Sequence, residues 1–486
     1  MKIDANIDNV FLTIKKMCGY SPDIVTRKLT KNIGYIYLQS VSSDDKISDF
    51  LTKSIIKNKN INSFKNIYDK IKNSIFNSNI NICDTYDNLF YLLSSGFTAI
   101  IIKGENKVIV VETRASLDRG VVESSSEPIV RGPKDSFTEN HNINIGLIRK
   151  RIKDTNLFFK NVVVGRRTKT IVTVSFLNDV VPNYKIKEII KSLKKINIDG
   201  ILDSGYIREL IEKNQKSLFP KVISTERPDL VCTSLLDGKI AILVENTPFA
   251  IIIPAILQDF FQSPEDNYRK PFNVSFSRFL RVICFFLALL TPAIYIALMT
   301  FNPELIPDQL LISLAIQRDD VPFPTAIEVL IFVMTFELLR EADIHAPSFS
   351  GSAMNIVGAL ILGDAAVAAG IVSPIVIIVV ATTSICELVF YDVDVIDALR
   401  EWRILFIIAA SLMGIIGIVL AFIMLIAKLS SIETLGVDYL TPFSPLNITA
   451  LKNSIIRENR KKLKTRPTYL TKNITRMGEE NEKNNN

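Results

Sequence analysis

The sequence contains little of what enzymes and metal proteins commonly use at their sites. Trp occurs once, and His occurs only twice, at His141 and His345. It contains no Walker loop, no GxGxxG fingerprint and no HExxH motif, and Ser124–Ser126 lacks the G-x-S-x-G context of a nucleophile. We therefore expect no catalytic residue, no metal site and no bound cofactor, and we predict that the chain is not an enzyme.

Cysteine is also scarce, and its spacing argues against metal binding. The chain has five cysteines and no CxxC pair, and two of the five lie in apolar segments. This usage predicts reduced, buried thiols in a protein that faces the cytosol. The first twenty residues include acidic side chains and no apolar core of signal-peptide length, so we expect the chain to begin in the cytosol. The cysteines are Cys18, Cys83, Cys232, Cys284 and Cys386.

Charge is nearly balanced, with 57 Lys and Arg against 50 Asp and Glu. This mild excess excludes the strongly basic surface of a nucleic-acid-binding protein, and it suits a protein that faces an anionic membrane. The basic run Lys452–Arg466 is predicted to lie along anionic lipid, where each charge near the surface contributes about 1 kcal/mol. Arg166 and Arg167 either bind phosphate or lipid headgroups or form a solvated turn with internal ion pairs.

The N-terminal half shows the mixed pattern of an α/β protein. Phe97–Ile102 and Val108–Glu112 flank a Gly turn and predict a β-hairpin. Val231–Leu236 and Ile240–Val244 flank Asp237-Gly238 in a similar way, which predicts a second hairpin. We interpret the repeat as two α/β subdomains in series that arose by duplication. Two helices, Ser42–Lys57 and Ile61–Phe76, are predicted upstream.

Long apolar runs are confined to the region after Phe279. Because a helix needs roughly 20 apolar residues to cross a bilayer, these runs predict a transmembrane domain of four to five helices. Basic residues flank both ends of this region, so both ends are expected in the cytosol and the number of crossings is expected to be even, with four favoured. The predicted spans are Leu280–Thr300, Ala326–Glu341, Ala353–Gly370, Ile375–Phe390 and Ile404–Ala427.

The predicted fold class is thus a soluble α/β half followed by an α-helical transmembrane domain. Residues 1–135 and 136–272 are assigned to the two cytosolic subdomains. Residues 273–445 are assigned to the membrane domain, and residues 446–486 to a basic cytosolic tail.

The stretch from Gln317 to Pro374 carries the most distinctive pattern. Thr325 and Glu328 have the spacing of a capping box at a helix start. Glu337, Arg340 and Glu341 follow at i, i+3 and i+4. They either neutralise one another along one helix face or contact a partner subunit.

Small residues and one carboxylate mark the segment Ala353–Gly370. Ala and Gly at spacings of four allow close helix contacts, within one chain or between copies of a homo-oligomer. A carboxylate in the bilayer costs roughly 2.5–3.5 kcal/mol, so Asp364 is a functional candidate. It either lines an ion path or pairs with a neighbouring helix. Candidates for pore lining or helix packing are Asn355, Gly358, Gly363, Asp364 and Val367.

Many separate stretches, in order, resemble the A subunits of the GerA family of spore germination receptors. The similarity extends from about Ser94 to Pro445. In the N-terminal half the matching stretches are EPIVRGPKDSFTE from Glu127, VGRRTKT from Val164, INIDGILDSGYIREL from Ile196, TERPD from Thr225 and DGKIAILVENTPF from Asp237. In the C-terminal half they are SFSRFLR from Ser275, PELIP from Pro303, VPFP from Val321, ELLREA from Glu337 and IVGALILGDAAVAAGIVSP from Ile356.

Three departures from the family pattern affect its membrane half. Asp343–Phe349 replaces a Gly, a basic residue and a Pro-basic-Pro run. Asp364 stands where the family usually has Gln, and Glu387–Asp394 replaces an apolar segment that contains Pro. These changes bear on gating and ion preference.

The resemblance implies a protein of the inner membrane of dormant endospores that takes part in nutrient sensing. It implies that the chain acts together with a permease-like B subunit and a C lipoprotein. It also implies that A subunits assemble into a ring that releases ions through a channel. Two alternatives remain open: a non-conducting signalling scaffold, and an accessory paralogue that amplifies germination without sensing nutrients.

Overall fold

A computed structural model describes residues 2–48, 80–115, 127–212, 217–345, 363–451 and 453–476. The chain divides into two compact units. The N-terminal unit contains residues 1–215, 221–255 and 459–486, and the helical unit contains residues 216–220 and 256–458. In sequence, therefore, the helical unit is an insertion into the N-terminal unit. The predicted helix Ile61–Phe76 and residues 49–57 of the predicted helix Ser42–Lys57 lie outside the described residues.

The N-terminal unit contains two antiparallel sheets of five strands each. Both sheets connect their strands in the same way, with the third strand in sequence at one edge, next to the fifth. The first sheet has the order β1-β2-β4-β5-β3, and its strands are β1 Ile24–Thr30, β2 Ile33–Leu38, β3 Ile80–Cys83, β4 Phe97–Ile102 and β5 Val108–Glu112. The second has the order β6-β7-β9-β10-β8, and its strands are β6 Leu157–Val164, β7 Thr170–Leu177, β8 Ile223–Thr225, β9 Ile240–Val244 and β10 Ala250–Ile253.

Seven described helices accompany these strands, and two of them occupy equivalent positions. In each half a helix ends at a glycine in the left-handed region, Gly96 with φ +88° or Gly238 with φ +96°, and a central strand follows. Glycine suits these positions because it has no Cβ. The helices are α1 Ile7–Met17, α2 Asp44–Lys46, α3 Tyr86–Ser94, α4 His141–Arg151, α5 Asn183–Lys195, α6 Ser204–Ile211 and α7 Pro228–Asp237.

The predicted fold class is confirmed, but one of the two predicted hairpins is wrong. Phe97–Ile102 and Val108–Glu112 pair as β4 and β5 in an antiparallel hairpin. Val231–Leu236, in contrast, belongs to α7, so the second repeat is a helix, a glycine and a strand. A short apolar run fits a buried helix as well as a buried strand, and Pro228 favours a helix because it occupies the first turn.

A buried ion pair joins the segments that carry the two sheets. Arg149 of α4 is fully buried and donates to both carboxylate oxygens of Asp23, at 3.1 and 3.2 Å. Its guanidinium also lies 4.7 Å from the ring centroid of Phe159. Burial alone would raise the pKa of the Asp23 carboxyl, but the charge and hydrogen bonds of Arg149, with hydrogen bonds from Ser21 and Ser40, hold it below its ordinary value. Asp23 precedes β1 and Arg149 precedes β6, so this pair connects the two halves of the unit.

Arg149→Leu is expected to destabilise the N-terminal unit by about 3–5 kcal/mol, because it leaves the Asp23 carboxylate buried without a partner. Lys28→Ala is the control, since the ion pair of Lys28 with Asp8 is exposed and worth less than about 1 kcal/mol. Hydrogen exchange of β4 and β7 in the full chain measures the effect. The double variant Asp23→Leu/Arg149→Leu should recover more than half of the loss. Equal protection in Arg149→Leu and Lys28→Ala would show that the ion pair does not hold the halves together.

The helical unit contains the apolar half of the chain. Among the described residues, two of its helices, α8 (Pro271–Thr300) and, taken as one helix of 38 residues, α12 (Val393–Ser430), are long and apolar enough to cross a membrane. Both present large apolar side chains to the outside, including Phe276 at 65% and Leu412 at 72% exposure, as expected for helices that face lipid. The helices are α8 Pro271–Thr300, α9 Asp308–Arg318, α10 Thr325–His345, α11 Pro374–Glu387, α12 Val393–Ser430 and the short α13 Ile448–Leu451.

Helix α12 consists of two antiparallel segments. The sequence predicts instead one straight span over Ile404–Ala427. Gly414 has φ +60° and ψ −136°, outside the helical region. Three ring contacts, with centroid distances of 6.3, 5.5 and 6.4 Å, connect Phe390 through Phe285 and Phe286 to Phe422. A straight helix would separate residues 390 and 422 by about 48 Å. The chain therefore doubles back at Gly414, and Phe301 packs against the bend.

Gly414→Ala is expected to destabilise the helical unit by at least about 1–3 kcal/mol, because side chains strongly disfavour this backbone conformation. The new Cβ would also lie 2.8 Å from Cβ of Phe301. Gly363→Ala is the matched control, because among the described residues its Cβ would meet only Ile377, at 3.8 Å. Trp402, the single tryptophan, lies in α12, so its fluorescence during thermal unfolding in detergent measures both effects. A transition temperature in Gly414→Ala equal to that of Gly363→Ala would contradict the bend.

Candidate functional site

The candidate site consists of polar side chains held among the apolar helices of the helical unit. Glu328, in the first turn of α10, is fully buried. Its carboxylate accepts hydrogen bonds from the backbone N–H and the hydroxyl of Ser373, at 2.6 and 2.5 Å. Arg318 approaches the other carboxylate oxygen at 3.6 Å. Glu328 therefore joins the start of α10 to the start of α11.

This arrangement contradicts the predicted capping box. Helix α10 begins at Thr325, and the first helical hydrogen bond runs from the N–H of Glu328 to the carbonyl of Pro324. Pro324, not Thr325, is thus the capping residue. The Glu328 carboxylate reaches the N-terminus of the following helix instead of its own.

A second polar cluster centres on Arg403 of α12, which is only 3% exposed. Its guanidinium donates to the carboxylate of Glu337 on α10 at 2.6 Å. It also forms a short contact with the carboxylate of Glu387 on α11. One arginine thus bridges three helices, and each carboxylate offsets the cost of burying its charge.

Three further charged residues extend this cluster and keep it neutral. Arg400 pairs with Glu337 at 2.9 Å and with Asp397 at 2.7 Å. Arg340 approaches Glu387 and Asp397, each at 3.9 Å. The described network therefore contains three arginines and three carboxylates.

The predicted subunit-contact residues are partly engaged within this chain. Glu337 and Arg340 pair with α11 and α12 as described above. Glu341 lies one turn further along α10 and is exposed. Their role in contacts between subunits stays a prediction.

The predicted pore or packing residues fall in two groups. Asn355 and Gly358 lie outside the described residues. Gly363 is buried, Val367 is half-buried and Asp364 is exposed. The exposed positions of this short helical segment are Asp364, Ala365, Ala368 and Ala369. The outer face of the segment thus combines one carboxylate with small side chains.

Sequence reasoning missed Arg403, Glu387 and Gly414 as determinants of this region. The predicted span began at Ile404, directly after Arg403, so Arg400 and Arg403 were left outside the predicted helices. The signal available was that arginines occur beside carboxylates where these apolar helices begin and end. No group of His, Cys, Asp and Glu suited to a metal ion occurs among the residues that the structure describes.

The expectation that the five cysteines are buried is confirmed. All five are free thiols, and all five are buried. Burial raises the pKa of the Cys18 and Cys232 thiols to about 12. These two thiols are therefore unreactive at neutral pH.

The chain is similar to several spore germination proteins over nearly its whole length. It is 36% identical to spore germination protein KA of Bacillus subtilis (strain 168). The aligned region covers 91% of this chain and 82% of that protein. It is 32% identical to spore germination protein GerLA of Bacillus cereus, with 98% of each chain covered.

A solved structure also matches the N-terminal part of the chain. This is the crystal structure of the N-terminal domain of the A subunit of the Bacillus megaterium spore germinant receptor GerK3. The solved domain is 32% identical in sequence to this chain, and the TM-score is 0.43. The match covers 53% of this chain and 98% of the solved domain.

The family comparison covers both units. The model of the Bacillus/Clostridium GerA spore germination protein matches residues 12–469. This match includes both sheets, the Arg403 cluster and the small-residue segment. The chain belongs to the GerA family of spore germination proteins.

Proposed function

We propose that this chain is the membrane subunit of a nutrient-sensing germinant receptor, and that copies of it assemble into a channel that releases ions. The observation that carries this proposal is the exposed face of residues 363–369. It places Asp364 beside alanines on the outside of the helical unit. The family role in spore germination supplies the physiological setting.

An exposed carboxylate on an apolar unit needs water or a partner. The polar clusters at Glu328 and Arg403 are neutralised within the chain, whereas Asp364 points outward. Facing lipid would cost Asp364 roughly 2.5–3.5 kcal/mol. Alanines on the same face allow a second helix to approach closely. Assembly of copies around this face would hold Asp364 in a water-filled path and keep it away from lipid.

The arrangement of the chain supports an even number of membrane crossings. The helical unit is inserted between residues 255 and 459 of the N-terminal unit, so the chain leaves this unit and returns to it. We propose that the N-terminal unit and the C-terminal tail face the cytosol. The bend at Gly414 divides α12 into two arms, neither of which has roughly 20 apolar residues, so the crossing number need not be four.

The proposed setting is the inner membrane of the endospore. The proposed partners are a permease-like B subunit, a C lipoprotein, other copies of this chain and anionic membrane lipid. No cofactor, nucleic acid or enzymatic activity is part of the proposal. The non-conducting scaffold makes the opposite prediction for ion flux, so one experiment separates the two.

In liposomes that contain the purified full-length protein, Asp364→Asn is expected to change cation flux at least about tenfold. Removing one charge from a confined path changes the energy of a passing ion by more than about 1.4 kcal/mol. Asp308→Asn is the control, because Asp308 is an exposed carboxylate in the first turn of α9, away from the small-residue face. Gly363→Trp should abolish assembly or flux.

Size-exclusion chromatography of each variant shows whether the oligomer has formed. Flux in the native protein that Asp364→Asn leaves unchanged would contradict the proposed role of Asp364. Absence of flux from a correctly folded oligomer would favour the scaffold, or a pore completed by the partner subunits.

A further inference from the structure

Glu328 holds the beginning of α11 through only one of its two carboxylate oxygens. That oxygen accepts hydrogen bonds from both the backbone N–H and the hydroxyl of Ser373, as described above. Ser373 immediately precedes α11, and a serine at such a position commonly accepts a hydrogen bond from the backbone of its own helix. The Ser373 side chain makes no such bond. Its hydroxyl is therefore committed to Glu328 and does not cap α11.

Three polar atoms around this contact are buried without a hydrogen-bond partner among the residues that the structure describes. They are the second carboxylate oxygen of Glu328, Nε of Arg318 and the hydroxyl of Tyr295 in α8. Arg318 Nε lies 3.6 Å from that Glu328 oxygen, which is too far for a hydrogen bond. Tyr295 is only 8% exposed, and its hydroxyl lies near that of Ser373. Because buried polar groups are normally paired, these three atoms require an explanation.

The segment that carries Asp364 ends directly before the same contact. Its last turn closes at Gly370, which has φ +64°, and two N–H groups there donate to carbonyls of the preceding turn, both at 2.9 Å. A Cβ at Gly370 would lie 3.3 Å from the carbonyl oxygen of Asp320, so this turn packs against the turn that follows α9. The link from this turn to Ser373 includes Val372, which is buried. A shift of Ser373 would therefore move the end of the Asp364 segment.

A second arrangement of the same side chains would satisfy the unpaired atoms. If the Glu328 carboxylate turns toward Arg318, its second oxygen gains the guanidinium as a direct partner. The Ser373 hydroxyl is then released and can bond to the hydroxyl of Tyr295. The second arrangement leaves the backbone N–H of Ser373 without Glu328, so neither arrangement satisfies every group. Side chains with two competing sets of partners form a two-state element.

We propose that Glu328 is a latch that exchanges Ser373 for Arg318 and thereby sets the position of the segment that carries Asp364. Tyr295 bonds to the Ser373 hydroxyl when the latch is released. All of these residues belong to the helical unit. The inference rests on the proposed function only where it concerns ion flux, because Asp364 is the residue assigned to the ion path.

The test removes one partner from each arrangement. Ser373→Ala deletes the hydroxyl that Glu328 holds and keeps the backbone N–H. Tyr295→Phe deletes a hydroxyl that has no hydrogen-bond partner among the described residues while the latch is closed. Thr383→Val is the matched control, because it deletes a buried hydroxyl of α11 that bonds only within its own helix, to the carbonyl of Val379 at 2.8 Å.

Spin labels at the exposed positions Leu305 and Ile371 report the position of the segment's end within the helical unit, independently of conduction. The full-length labelled protein is diluted with unlabelled copies in lipid nanodiscs, so that the distances measured lie within one chain. Ser373→Ala should at least double the width of the distance distribution. Tyr295→Phe should not exceed the native width, and Thr383→Val should leave it unchanged.

Two results of this measurement would overturn the proposal. An unchanged width in Ser373→Ala would mean that Glu328 does not hold the segment through this hydroxyl. Equal broadening in Ser373→Ala and Tyr295→Phe would mean a general loosening of the packing, with no exchange of partners.

Cation flux through liposomes that contain the full-length protein tests whether the latch acts on Asp364. Ser373→Ala and Tyr295→Phe should each change flux at least threefold and in opposite directions, because they remove partners from opposite arrangements. Changes of the same sign, or native flux in Ser373→Ala with a broadened distance distribution, would overturn the link to Asp364. Absence of flux from the native protein would count against the proposed channel, and the distance distributions would still decide whether the latch exists.

Discussion

A buried arginine with two carboxylate partners is the constraint on which the helical unit depends. Arg403 cannot remain charged among apolar helices unless carboxylates surround it, and these come from Glu337 on α10 and Glu387 on α11. All three helices must therefore keep one register relative to one another. Removing any member would leave a buried charge with fewer partners. The cluster therefore favours one specific arrangement over other ways of packing apolar helices.

The N-terminal unit uses the same chemistry for a similar purpose. Arg149 bridges two segments that are 126 residues apart in the chain, through Asp23. Apolar packing is weakly directional, so by itself it would leave the arrangement of two sheets with matching strand order open. In both units, a planar guanidinium with several donors fixes the geometry that apolar packing alone leaves open.

Much of the fold could be predicted from local patterns in the sequence. The β4–β5 hairpin, the α8 helix and the division into an α/β half and a helical half all follow from apolar periodicity and turn residues. The α7 helix was mistaken for a strand because its apolar run is short and uniform. The Glu328 capping box failed because Ser373, 45 residues away, offers two donors that no local pattern reveals.

The candidate site was harder to predict for the same reason. Asp364 stands out in the sequence because it interrupts a run of small residues. Arg403 and Glu387 are partners because α11 and α12 pack side by side, which no local pattern reveals. The bend in α12 was missed because Gly417, in the same apolar run, looks as able as Gly414 to bend the chain. The bend depends on a backbone conformation that glycine favours and on packing against Phe301, which is remote in sequence.

The most direct measurement is the distance between spin labels at Val393 and Ser430, the two ends of α12, in lipid nanodiscs. Both positions are exposed, and the five native cysteines are buried. A bend at Gly414 predicts a distance of less than half of the roughly 55 Å that a straight helix would give. A distance near that full length would contradict the bend and the two antiparallel segments assigned to α12.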